Sequence, residues 1–76
     1  MTPREQPTTR AEIGEAIRRH RLAQGLTQKD LGQRVGISAQ SVSAIEKGTR
    51  NPTLSLFVRL VDALDLSLAL KRLASG

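Results

Sequence analysis

An all-helical domain of four helices is what this 76-residue sequence predicts, and three observations predict it. Apolar residues recur at helical spacing in four separate stretches. Each stretch opens behind a hydroxyl residue that can cap a helix N-terminus: Thr9, Thr27, Ser38 and Thr53. The first three stretches also end at a glycine, Gly25, Gly36 and Gly48, as a left-handed C-terminal turn requires.

The stretch Leu26 to Lys47, LTQKDLGQRVGISAQSVSAIEK, organises the rest. Thr27 and Asp30 are spaced as an acidic capping box. Leu31 and Val35 then share one helical face, Gly36 stops the helix and Ile37 closes over the turn. Ser38 caps a second helix whose inner face is Val42 and Ile45. Its outer face carries Gln40, Ser41, Ala44 and Lys47, flanked by Ala39 and Ser43. A merely solvated helix face is usually loaded with Glu and Lys. Short side chains with one amide suit a helix that enters a groove and touches base edges. The pattern is a helix-turn-helix, with residues 38–47 as the recognition helix.

The flanking elements follow in order. Residues 1–8 hold two prolines and no apolar period and are expected to be a disordered arm. Thr9 and Glu12 form a capping box for a first helix running to about Gln24, with Ile13, Ala16 and Ile17 inward and Leu22 joining the core. Arg21 falls close to that buried side, and His20 reads as a surface histidine. Gly32 within the second helix implies close approach of the third. After Gly48, Pro52 forbids continuation and Thr53 caps a fourth helix whose core face is Leu56, Phe57, Leu60, Val61 and Leu64. Beyond Asp65 the period changes. Leu66, Leu68 and Leu70 alternate with Ser67, Ala69 and Lys71, which is strand spacing. With no second strand in the chain, residues 66–71 are expected to pair with their copy in an antiparallel ribbon across a homodimer. The domain is thus expected to span residues 9–73, with 74–76 as a loose tail.

Composition narrows the partner. Net charge is +5 and the sequence pI about 11.2, which favours an anionic partner, nucleic acid ahead of membrane. Phe57 is the only aromatic, so the stacking platforms of single-strand binders are absent and duplex DNA is favoured. There is no cysteine, no metal-ligand spacing and no nucleophile–base constellation, so neither a metal, a cofactor nor an enzymatic activity is expected. The N-terminus lacks an apolar run that could act as a signal or anchor, and the expected location is the cytoplasm, on the nucleoid.

The order of residues from Ile17 to Leu64 resembles the Cro/phage-repressor (XRE-type) helix-turn-helix family. The matching pieces are Gly25-Leu26-Thr27-Gln28, Leu31, Val35-Gly36-Ile37-Ser38, Val42-Ser43-Ala44-Ile45-Glu46-Lys47-Gly48 and Pro52-Thr53-Leu54, ending at Ala63-Leu64. The resemblance implies a λ-repressor-like bundle that binds operator DNA as a dimer. The ending Leu64-Asp65-Leu66-Ser67-Leu68-Ala69-Leu70 is similar to that of HipB-type antitoxins. Those carry a short dimer-pairing strand, repress their own operon and hold a HipA-type serine/threonine kinase toxin. Two alternatives stay open. One is a stand-alone phage or restriction-modification regulator. The other is a toxin-binding module with secondary DNA binding.

Candidate site residues divide by chemistry. Ser38, Ala39, Gln40, Ser43 and Ala44 are the expected base readers. Gln40 can pair with adenine, and the alanines can meet a thymine methyl. Lys47, Thr49 and Arg50 are placed for backbone contacts. Thr27, at the positive end of the second helix, joins them. The resemblance adds Gln28 as a phosphate donor that also braces the recognition helix, and implies a partly buried ion pair between Arg21 and Glu46. Leu66, Leu68 and Leu70 are the expected dimerisation residues.

Overall fold

The computed structural model describes residues 9–75, with side chains to Leu64. Four helices occur in the order α1 (Arg10–Ala23), α2 (Gln28–Val35), α3 (Ala39–Lys47) and α4 (Leu54–Ser75). The expected arm, residues 1–8, lies outside the described residues, as does Gly76.

Local chemistry sets the helix ends. Thr9 and Thr27 each accept the backbone N–H three residues on, and Glu12 and Asp30 return a carboxylate to the cap residue's N–H. Ser38 caps α3 by accepting from the Ser41 N–H at 3.1 Å. Between α2 and α3 the chain reverses at Gly36, whose φ of 81° is in the left-handed region that a side chain would strain. Its N–H and that of Ile37 both close on the Gly32 carbonyl, at 2.7 and 2.9 Å. The Thr53 hydroxyl accepts from Leu56 N–H and starts α4.

The core lies where the four helices meet. Ile17 comes from α1, Leu31 and Val35 from α2, Val42 and Ile45 from α3, and Leu56, Leu60 and Leu64 from α4. Ile13, Leu26, Ile37 and Ala63 pack against its edge. Leu31 has no exposed surface, so truncating it to alanine costs about 2–5 kcal/mol. α1 and α3 cross so closely at Gly14 that a Cβ there would collide with the carbonyl oxygens of Ile45 and Glu46. Gly32 serves the turn: a Cβ would strike the Ile37 carbonyl, ahead of α3 itself.

The structure corrects three expectations. Residues 66–71 form no strand; they continue α4, which runs on through Ala74 and Ser75. From Leu54 to Ser75 there is no glycine or proline, and Val58 and Val61 are the only β-branched residues. Leu66, Leu70 and Leu73 also fit a helical period, and leucine, alanine, lysine and arginine are strong helix formers. A helix satisfies its own backbone, whereas a lone strand leaves its donors and acceptors unpaired. The side chains of Leu66, Leu68 and Leu70, expected to dimerise, lie outside the described residues. Leu22 does not join the core and is half exposed; the buried position in the last turn of α1 is taken by its neighbour Arg21. Phe57 and Val61 are half-buried at the core's rim, beside α1.

Two long-range contacts to main-chain carbonyls set α4 in place. Arg59 Nη1 donates to the Val35 carbonyl at 3.0 Å, putting a cation on the negative end of α2. Gln24 Nε2 donates to the Leu64 carbonyl at 2.7 Å and ties the end of α1 to the middle of α4.

Candidate nucleic-acid interface

The pose of α3 is held from behind by a buried polar hub. Arg21 and Glu46 are each 7% exposed. Arg21 Nε donates to Glu46 Oε2 at 2.7 Å and Nη2 to Oε1 at 3.1 Å, a two-pronged pair from α1 to α3. Arg21 Nη1 donates to the Leu26 carbonyl at 2.7 Å, fixing the segment that enters α2. Gln28 Nε2 donates to Glu46 Oε1 at 3.1 Å, adding the first turn of α2. Hydrogen bonding to Glu46 raises the pKa of Arg21 against the lowering effect of its burial, so the guanidinium keeps its charge. Such a pair contributes little net stability, but removing one partner strands the other. Its geometry couples three helices, so the recognition helix cannot roll without breaking the hub.

In front of the hub lie the expected readers. Gln40 is exposed, and Ala39, Ser43 and Ala44 are half-buried along the same surface. Ser38 is exposed, but its hydroxyl is engaged by the cap and by a 3.1 Å hydrogen bond donated to Ser41 Oγ. Gln40 is therefore the freest polar group at this end of α3. α3 has no acidic residue in its first turn, so its positive N-terminal end is not neutralised there.

The expected backbone contacts flank this surface unequally. Lys47, Thr49 and Arg50 are exposed at the C-terminal end of α3. Thr49 Oγ1 donates back to the Ala44 carbonyl at 3.1 Å. Arg50 Nη1 donates to Ser41 Oγ at 2.6 Å, folding the arginine back along α3. Thr27 is spent on its capping box, with its N–H donating to Asp30 Oδ2 at 2.9 Å. Gln28 braces Glu46 through one amide hydrogen, and no described residue takes the other. Sequence reasoning passed over Lys29, exposed in the first turn of α2. A signal was there to find, since a lysine opposes the helix dipole at that end unless an anion faces it.

No group of histidines, acids and cysteines among the described residues could hold a metal. Among them, no helix is long and apolar enough to cross a membrane.

Comparison with known proteins decides the family. Residues 17–71 match the family model described as Helix-turn-helix. The chain belongs to that helix-turn-helix family, of XRE type. An uncharacterized HTH-type transcriptional regulator of Methanothermobacter thermautotrophicus is 48% identical over 48 residues, covering 63% of this chain and 70% of the relative. Antitoxin HipB of Escherichia coli is 30% identical over 59 residues, covering 78% of this chain and 67% of HipB. The crystal structure of the restriction-modification controller protein C.AhdI from Aeromonas hydrophila superposes with a TM-score of 0.70. It is 34% identical, and the match covers 74% of this chain and 81% of the controller. The helix-turn-helix chain is thus a DNA-binding transcriptional regulator.

Proposed function

We propose that this regulator is a sequence-specific repressor that binds duplex operator DNA as a homodimer. The observation that carries the reading is the outer surface of α3. One free amide, Gln40, stands among small side chains on a helix whose opposite side is pinned by Arg21, Gln28 and Glu46. A reading helix needs both features, a front that fits the major groove and a back that cannot move. Gln40 reads an adenine edge, and Ala39, Ser43 and Ala44 supply close packing, with Ser38 at the entry. Lys47 and Arg50 at one end, and Gln28 and Lys29 at the other, meet the phosphates, while Thr27 and Thr49, whose donors are committed within the chain, shape the two ends.

The dimer follows from the geometry of the task, since one short helix reads only a half-site. The surface that supports it is on α4 rather than on a strand. Leu54 is 79% exposed and Val58 48% exposed. Helical spacing puts both on the side of α4 next to Val61, which with Ile13, Ala16 and Phe57 among others lines an apolar groove of about 210 Å³ between α1 and α4.

The test is an anisotropy titration of labelled duplex from upstream of the protein's own gene against a scrambled duplex. A preference of about a thousandfold or more is expected of a specific repressor. Equal affinity for both duplexes would reduce the protein to a non-specific binder. Val58→Asp, sedimented by analytical ultracentrifugation, should shift dimer to monomer, and an unshifted boundary would place the interface elsewhere.

The HipB relatives favour a finer reading, in which the repressor also acts as the antitoxin of a HipAB-like module and holds a HipA-type kinase toxin. The C.AhdI match favours the alternative, a controller with no toxin partner. Co-purification with a kinase encoded next to the gene supports the first, and a free repressor in the presence of that kinase supports the second.

A further inference from the structure

We propose that Ser41 and Arg50 form a single phosphate clamp, in which Ser41 aims the arginine and offers its own hydroxyl proton to the same phosphodiester. The inference rests on the DNA-binding reading above and assigns Ser41 a role there.

The atoms carry it. Ser41 Oγ accepts from Arg50 Nη1 at 2.6 Å and from the Ser38 hydroxyl at 3.1 Å. A serine hydroxyl has one proton and two lone pairs. With both lone pairs taken, what remains is a donor. The guanidinium has no acceptor at all, and its other N–H groups are uncommitted among the described residues. The pair is therefore donor-only, and it carries a positive charge. An anionic phosphodiester oxygen satisfies both the donors and the positive charge, whereas the acceptors on a base edge are neutral.

Its placement suits the DNA backbone. Ser41 lies in the first turn of α3, and Arg50 lies beyond the Gly48 cap. The hydrogen bond between them therefore lays the guanidinium along the flank of the reading helix instead of leaving it free in the loop. Ordering a long side chain before binding removes a cost that binding would otherwise carry. The residue type matters as well. Ser41 occupies the third helical position of α3, which in α2 is filled by Asp30. A carboxylate there would hold Arg50 but repel a phosphate. A hydroxyl holds it and repels nothing.

The experiment measures the salt dependence of binding to a random-sequence duplex of about 20 base pairs, between roughly 50 and 200 mM salt. Arg50→Ala should flatten the dependence by about one ion per subunit, which is roughly a threefold smaller loss of affinity across that range. Ser41→Ala removes no charge, yet should flatten it by a similar amount because the arginine is released. Ser41→Thr keeps the hydroxyl and should restore the wild-type slope. The double variant should be no flatter than Arg50→Ala alone. Alanine is a strong helix former, so α3 should keep its far-ultraviolet circular dichroism. A wild-type slope in Ser41→Ala, or additive losses in the double variant, would overturn the clamp while leaving DNA binding intact. Failure of the wild type to bind any duplex would remove both.

Discussion

α2 and α3 are built on one plan and differ at one place. Each starts behind a hydroxyl cap in extended conformation, Thr27 or Ser38, and each stops on a left-handed glycine, Gly36 or Gly48. In α2 the third helical residue is Asp30, whose carboxylate closes back on Thr27 and completes a box. In α3 it is Ser41, with no carboxylate anywhere in the first turn. α2 thus satisfies the positive end of its backbone from within its own first turn. α3 leaves that end uncompensated and takes its stability from behind, through Glu46. With no acid in its first turn, α3 has nothing of its own that would repel an anion there, and its anchoring lies on the buried side.

The anchor should give the largest effect. Glu46→Ala strands a buried guanidinium and releases Gln28, and should cost about 3–5 kcal/mol in urea denaturation. A sharper variant is Arg21→Met with Glu46→Leu. Replacing both charges by apolar groups should recover most of that stability. It should not recover operator affinity if the hub's task is to orient α3. Recovery of both would mean that packing alone sets the helix, and the contrast with α2 would lose its meaning.

Next in size is the reading surface. Gln40→Ala should cost about 1–3 kcal/mol on the operator and relax the preference at one base per half-site. The variant's affinity for random duplex should be unchanged. Equal losses on both duplexes would demote Gln40 to a backbone contact. The matching change in α2, Gln28→Ala, should behave differently and lower stability as well as binding, because Gln28 is tied to Glu46.

What the sequence shows of this design depends on range. The caps, the glycine stops and the core positions Leu31, Val35, Val42 and Ile45 are set by residues within one or two turns, and a single pass along the chain finds them. The alternating leucines from Leu66 onward fit two periods at once, and only the need to satisfy the backbone separates them. The contacts Gln24 to Leu64, Arg59 to Val35 and Gly14 to the backbone of α3 join residues remote in sequence, and composition gives no hint of them. The same holds at the candidate site. Gln40 is legible as a residue type in a position, whereas the bond from Arg50 to Ser41 depends on where the chain returns after Gly48. Arg21 and Glu46 are intermediate. Their period places Arg21 near the buried side, and family resemblance supplies its partner.

The caps themselves give the smaller effects, and there the two helices should part by pH. Thr27→Ala and Ser38→Ala should each cost about 1 kcal/mol near neutral pH. Asp30 is what distinguishes them. The Thr27 backbone N–H, followed by its hydroxyl, holds the Asp30 carboxyl below its ordinary value of 3.8, and the nearby Arg34 and Lys29 add to this. Its pKa is therefore lower folded than unfolded, and the unfolded chain binds the proton more readily. The stabilisation is complete above the ordinary carboxylate range and is lost as pH falls through the folded-state value. Asp30→Asn should accordingly destabilise the protein at neutral pH and match the wild type in strong acid, below both values. Ser38 has no carboxylate partner, so the cost of Ser38→Ala should be the same across that window. Urea midpoints from neutral pH down into that range check it. Parallel pH profiles for Asp30→Asn and the wild type would show that the α2 box adds nothing, and the two helix starts would then be equivalent.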